Sequence, residues 1–112
     1  MGCIFCMIIN GDIPSKKVYE DELCYAFLDI NPQAKIHCLV VPKEHIASVD
    51  EINGKNSVTV AHIMSVIPKI ATALGITNGY RVVSNVGEDG CQSVKHLHFH
   101  ILGGEKLSEN MA

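Results

Sequence analysis

The sequence predicts one small α+β domain. Five short segments carry strand signals, one long segment carries a helical apolar stripe, and 112 residues leave room for a single core, so the domain is taken as 1–112. With 47% hydrophobic and 19% charged residues the composition is that of a folded chain, not a disordered one. Nine basic against twelve acidic side chains give a net charge of −3. That balance excludes the basic footprint of a nonspecific nucleic-acid or anionic-membrane binder and suits a small-molecule ligand. No apolar run reaches transmembrane length. The run Ile4, Phe5, Met7, Ile8, Ile9 has no basic start and is too short for a signal core. Five cysteines, an odd number with no export signal, predict thiols in a reducing cytoplasm.

The elements follow in order. Cys3-Ile4-Phe5-Cys6 reads as a redox pair, half of a zinc site, or two small buried hydrophobes. The redox reading wants the motif to open a helix after a strand, and nothing precedes it here. Zinc needs two more ligands, which only histidines offer, and spacing leaves that reading level with plain packing. Asn10 to Ser15 is a turn region, Lys17 to Glu20 a strand, Asp21-Glu22 a tight turn, and Leu23 to Leu28 the returning strand. Asp29 to Gln33 is a loop. Ile36 to Val41 is a third strand, apolar on both faces except for His37, and Pro42 stops it. Lys43-Glu44-His45-Ile46 follows at its end, where functional residues often sit.

Asn56 or Ser57 caps a helix running to about Leu74, with Gly75 just beyond. Val60, Ile63, Met64, Ile67, Ile70, Ala71 and Leu74 form its apolar stripe, generous enough that part should face a partner chain. Pro68 should kink it or weaken one turn, and His62 reads as a solvated residue. Gly79 to Asn85 is a fourth strand. Val86 to Ser93 is a loop with two glycines, an anion cradle in outline but no match to a nucleotide-loop fingerprint.

In His96-Leu97-His98-Phe99-His100-Ile101-Leu102, histidine and apolar residue alternate with the period of a strand. The three imidazoles would share one face, roughly 7 Å apart in succession, with Leu97, Phe99 and Ile101 facing a core. Burying several imidazoles without partners is costly, so the segment predicts a chemical site: a metal centre, or a histidine nucleophile with helpers.

These residues resemble a known family. Gly90-x-Gln92-Ser93-x-x-His96-x-His98-x-His100-Ile101-Leu102-Gly103-Gly104 is similar to the signature of the histidine triad (HIT) family, within it the Hint branch of nucleoside phosphoramidate hydrolases. Phe27 to Pro32, His37-x-Leu39-Val40-Val41-Pro42-Lys43-x-His45 and Gly79-Tyr80-Arg81 extend the resemblance over nearly the whole chain.

The resemblance implies a HIT-like homodimer, each protomer with about five antiparallel strands, one long helix and a short one. It implies hydrolysis of purine nucleoside 5′-phosphoramidates or related conjugates through a nucleotidyl-histidine. His98 matches the nucleophile, Ser93 the proton relay to the leaving group, and Asn85, Gln92 and His100 the phosphate-holding side chains. Asp29 matches the carboxylate on the ribose hydroxyls, and Phe5, Ile8, Phe27 and Ile30 would sandwich the base. Cys3, Cys6, His45 and the first triad histidine, His96, match a structural zinc site; no organic cofactor is implied. Cys91 departs from the glycine that close relatives usually have there, and Glu105 to Ala112 lacks the aromatic and proline residues of eukaryotic Hint tails. Two other readings stand: a nucleotide-binding scaffold with residual activity, and a metalloenzyme whose triad itself binds zinc.

Overall fold

The computed structural model describes residues 2–111. Five strands, β1 (Lys17–Glu20), β2 (Cys24–Leu28), β3 (Ile36–Pro42), β4 (Tyr80–Val83) and β5 (Phe99–Gly103), form one sheet in the order β1-β2-β3-β5-β4. Every neighbouring pair is antiparallel. Helix α1 (Ile4–Ile9) precedes the sheet, and the long helix α2 (Ser57–Ala73) lies between β3 and β4 in the chain. The α+β class, the five antiparallel strands and the two helices are as the sequence led us to expect.

The two-residue period of the strands divides the core between the sheet's faces. Cys24 and Ala26 of β2, Cys38 and Val40 of β3, and Phe99 and Ile101 of β5 face Ile63, Val66, Ile67, Ile70 and Ala71 of α2. The alternate residues Tyr25, Phe27, Leu39 and Val41 meet Phe5 and Ile8 of α1 on the opposite face. That second face also receives His37 and His100, so the site is built where the sheet is only thinly covered. α2 runs unbroken through Pro68. It stops in a Schellman turn, with Gly75 at φ +80 and N–H groups of Gly75 and Ile76 donating to the carbonyls of Thr72 and Ala71.

Two expectations need correction. The histidine strand begins at Phe99, not His96: β3 pairs with β5 only as far as Val40↔Phe99. Beyond it, Pro42 has no N–H for the ladder, its carbonyl takes the His96 ring, and Leu97 N–H turns to the Ile46 carbonyl at 2.6 Å. His62 is not simply solvated. Its Nε2 lies 2.6 Å from Asp21 Oδ2, stapling the β1–β2 turn to the middle of α2.

Asp21 also accepts from the Tyr19 hydroxyl and the N–H groups of Leu23 and Cys24. Burial opposes its ionisation, but the bonds from His62, Tyr19 and the two amides outweigh it and hold the carboxyl well below the usual range. A depressed carboxyl stabilises the fold above its unfolded pKa of about 4, and that stability is lost as pH falls through the folded value. Asp21→Asn should therefore cost roughly 1–3 kcal/mol at pH 7. In thermal melts the gap to the parent should narrow as the pH drops beneath about 4. A gap that ignores pH would refute the charged staple.

Candidate active site

His98 sits between the loop and β5 and is only 4% exposed. Its Nδ1 lies 2.7 Å from the His96 carbonyl oxygen, which can only accept. Nδ1 therefore carries the proton and Nε2 of the neutral ring keeps a lone pair. Burial pushes the ring's pKa down, favouring that neutral form, although the bond to His96 works the other way. The ring of Phe5 stands edge-to-face against it at 5.0 Å, and Ser84 Oγ donates to the His98 carbonyl at 2.8 Å. The ring is thus held at one edge, and the main chain from the residue that follows β4. A buried imidazole in this state can attack an electrophile.

A second chain of bonds fixes His100. Gln33 N–H donates to His37 Nδ1 at 3.0 Å, so the proton of neutral His37 resides on Nε2. That nitrogen is 2.8 Å from His100 Nδ1, to which it donates, leaving His100 Nε2–H free as a donor. Asp29 Oδ2 stands 3.5 Å from His37 Nε2, and its Oδ1 accepts from Asn31 N–H. Burial lowers His37 and, with His98 and His37 as neighbours, brings His100 down to about 4. His37, Asn85 and His100 share the wall of a cavity of about 610 Å³.

The loop 86–93 is braced by its own Gln92, within the loop and to its neighbours. Gln92 Nε2 donates to the carbonyls of Ala47 and Val94, and its Oε1 accepts from Gly87 N–H. Both amide hydrogens are thereby committed, so the side chain expected to hold phosphate instead holds the loop in shape. Gly90 is needed because a Cβ there would strike the Val86 main chain. Cys91, at φ +59, occupies the left-handed region that favours glycine. Ser93 is exposed, on the wall of a separate cleft with Cys3 and His45.

Four ligand atoms gather on the other side of His96. Cys3 Sγ, Cys6 Sγ, His45 Nδ1 and His96 Nδ1 all lie within 4.8 Å of one another. Observed separations are 3.3 Å from Cys3 to His96, 3.4 Å from Cys6 to His45, 3.5 Å from Cys6 to His96 and 3.1 Å between the histidines. Two thiolates and two imidazoles around a tetrahedral ion would stand roughly 3.3–3.8 Å apart. His96 Nε2 donates to the Pro42 carbonyl at 2.8 Å, which leaves Nδ1 its lone pair for the cluster. The donor set fits a metal ion, and its four members leave no open coordination position.

Of the residues singled out in the sequence, the structure brings Phe5, Ile8 and Phe27 into one buried cluster, while Ile30 stands 90% exposed. Among the described residues the triad imidazoles do not converge as ligands of one ion: His96 belongs to the cysteine cluster, and His100 groups with Asp29 and His37. Sequence reading passed over His37 and Ser84. The signal for His37 was there, as the one polar side chain in an otherwise apolar strand. Ser84 carried none, because its role depends on where β4 ends.

Comparison with known proteins identifies the family. The HIT domain model matches residues 10–107. A HIT-like protein of Synechococcus elongatus is 46% identical over 105 residues, covering 94% of this chain and 92% of that protein. A histidine triad protein from Clostridium difficile superposes with a TM-score of 0.94 at 54% identity, covering 99% of this chain and 97% of that one. A HIT family hydrolase from Legionella pneumophila gives 0.93 at 43% identity, covering 97% and 98%. With the triad segment, its sheet and its loop all matched over nearly the full length, this chain belongs to the histidine triad family.

Proposed function

We propose that this protein is a cytoplasmic hydrolase of the Hint-like branch, cleaving purine nucleoside 5′-phosphoramidates or related nucleotidyl conjugates. The observation that carries the reading is the tautomer of His98, whose proton is tied to the His96 carbonyl while Nε2 is left with its lone pair. The name of the Legionella relative, a HIT family hydrolase, supports the reaction class. In the mechanism, His98 Nε2 attacks the α-phosphorus, the P–N bond breaks, and the departing amine takes a proton relayed by the Ser93 hydroxyl. Water then cleaves the Nε2–P bond and releases the nucleotide. His100 Nε2–H, Asn85 and the amides of the braced loop hold the phosphoryl oxygens, which is the larger part of catalysis in phosphoryl transfer. Asp29 takes the ribose hydroxyls, and the base rests at the rim of the Phe5, Ile8 and Phe27 cluster beneath Ile30.

Cys3, Cys6, His45 and His96 would hold zinc, which serves as a structural tie between the N-terminus and the triad segment. A second copy of the chain is the partner for the exposed apolar side chains Val58 and Met64 of α2 and Tyr80 and Val82 of the edge strand β4. The test is turnover of adenosine and guanosine 5′-phosphoramidates, with acid-quench trapping of a nucleotidyl-protein and sedimentation of the same sample. Turnover, a trapped phosphorus–histidine adduct and the mass of two chains are expected. Tight nucleotide binding without turnover would instead favour a scaffold.

A further inference from the structure

The Cys3/Cys6 pair does more than complete a ligand set. One residue, His96, touches the cluster with its ring and the nucleophile with its main chain. Its Nδ1 lies 3.3 Å from Cys3 Sγ and 3.5 Å from Cys6 Sγ, and its carbonyl receives the His98 Nδ1 proton at 2.7 Å. The cluster is thus one of two holds on the His96 ring, beside the Nε2–H bond to the Pro42 carbonyl, and the same residue carries the acceptor that sets the His98 tautomer. The two sulfurs are also within 4.8 Å of each other, in a Cys-x-x-Cys spacing on a segment whose Cys3 is extended at φ −86 and ψ 111. Closing a disulfide between them means bringing these sulfurs together to about 2.05 Å. Both cysteines are half-buried rather than sealed, and a cavity of about 800 Å³ is lined by Cys3, Cys6 and His45. The buried pair Cys24 and Cys38, each 0% exposed, has no such access.

We propose that Cys3 and Cys6 are a peroxide-sensitive latch: their oxidation to a disulfide expels the zinc ion and leaves the His96 ring held by Pro42 alone, loosening the acceptor beneath the neighbouring nucleophile and lowering its activity. The chemistry balances. One thiolate attacks a peroxide oxygen, the O–O bond breaks, and a sulfenic acid and hydroxide form. The second thiolate displaces hydroxide from the sulfenic sulfur, closing the S–S bond. Two sulfurs lose one electron each to the peroxide, and the zinc leaves as Zn²⁺ because two of its four ligands are gone. A dithiol reduces the Cys3–Cys6 disulfide by thiol–disulfide exchange, becoming a disulfide itself, and the restored thiolates can take up zinc again. The latch rests on the zinc site and the His98 role proposed above.

The zinc-loaded protein is treated with one equivalent of hydrogen peroxide. Released metal is followed with a chromogenic chelator, the disulfide by peptide mapping, and the His98 ring by its ¹⁵N resonances. One zinc should be released per Cys3–Cys6 disulfide, and the His98 nitrogens should move toward a mixed-tautomer average. Turnover should fall tenfold or more, on the order of what losing a residue that orients a metal-site histidine costs. Dithiothreitol plus zinc should restore all three. Zinc retained after oxidation, the disulfide absent, or a His98 spectrum unchanged after zinc loss would each overturn the latch. Protein that binds no zinc as prepared would overturn it too. If no phosphoramidate is turned over by the native protein, the hydrolase reading fails separately, and the metal and ring signals still decide the latch.

Discussion

His98→Ala should abolish the trapped nucleotidyl-protein and lower turnover of an adenosine 5′-phosphoramidate by about 10⁴-fold or more, the scale on which losing a covalent nucleophile registers. Nucleotide affinity should change little by comparison, because the groups proposed to hold ribose and phosphate stay in place. The substitution removes a buried ring packed on Phe5, so its fold must be checked, and His98→Gln serves as a bulkier second variant. Zinc content provides a further control: the cluster uses His96, not His98, so both variants should retain metal at the parent level. A folded His98→Ala with activity within tenfold of the parent would exclude the nucleophile. Metal lost together with activity would point instead to a site in which the whole triad ligates, against the separation of His96 from His100 seen here.

How much of this could be read from the sequence follows from which interactions are periodic. Alternation along 96–102 exposed the triad, and the spacing of Ile63, Ile67 and Ile70 exposed the long helix, because burial repeats with the geometry of strand and helix. The break before Phe99 could not be read that way. It arises from Pro42, fifty-odd residues earlier in the chain, whose carbonyl captures the His96 ring. The work of Gln92 was equally hidden: an amide two residues past a glycine suits phosphate as well as it suits the carbonyls of Ala47 and Val94. His62 was misjudged because its partner, Asp21, is set by the packing of a turn on a helix and not by any local pattern. Composition and spacing constrain which residues can do chemistry, but the direction of each proton is a tertiary property.

His37 shows the consequence of that last point most clearly. The Gln33 amide places the His37 proton on Nε2, and that proton in turn makes His100 an Nε2–H donor toward the face where a phosphoryl oxygen would bind. Replacing His37 with phenylalanine keeps an aromatic ring in β3 but removes the donor, so His100 is free to take either tautomer. Turnover should drop roughly 10²-fold, the usual scale for a positioned proton donor, with KM within a few-fold of the parent. His37→Gln, which can still donate to His100 Nδ1, should recover part of the loss, and a merely packing role would predict the opposite order. The pH profile adds a second criterion. Burial, then His98 and His37, bring His100 to about 4, so this histidine stays neutral near pH 7 and charging it should not limit the proposed turnover until the pH approaches that value. In a protonated His100 both nitrogens carry hydrogen, Nδ1 then opposes the His37 Nε2–H, and the relay is lost on the acid side. Equal kcat in the native protein, His37→Phe and His37→Gln would mean that His100 needs no such instruction.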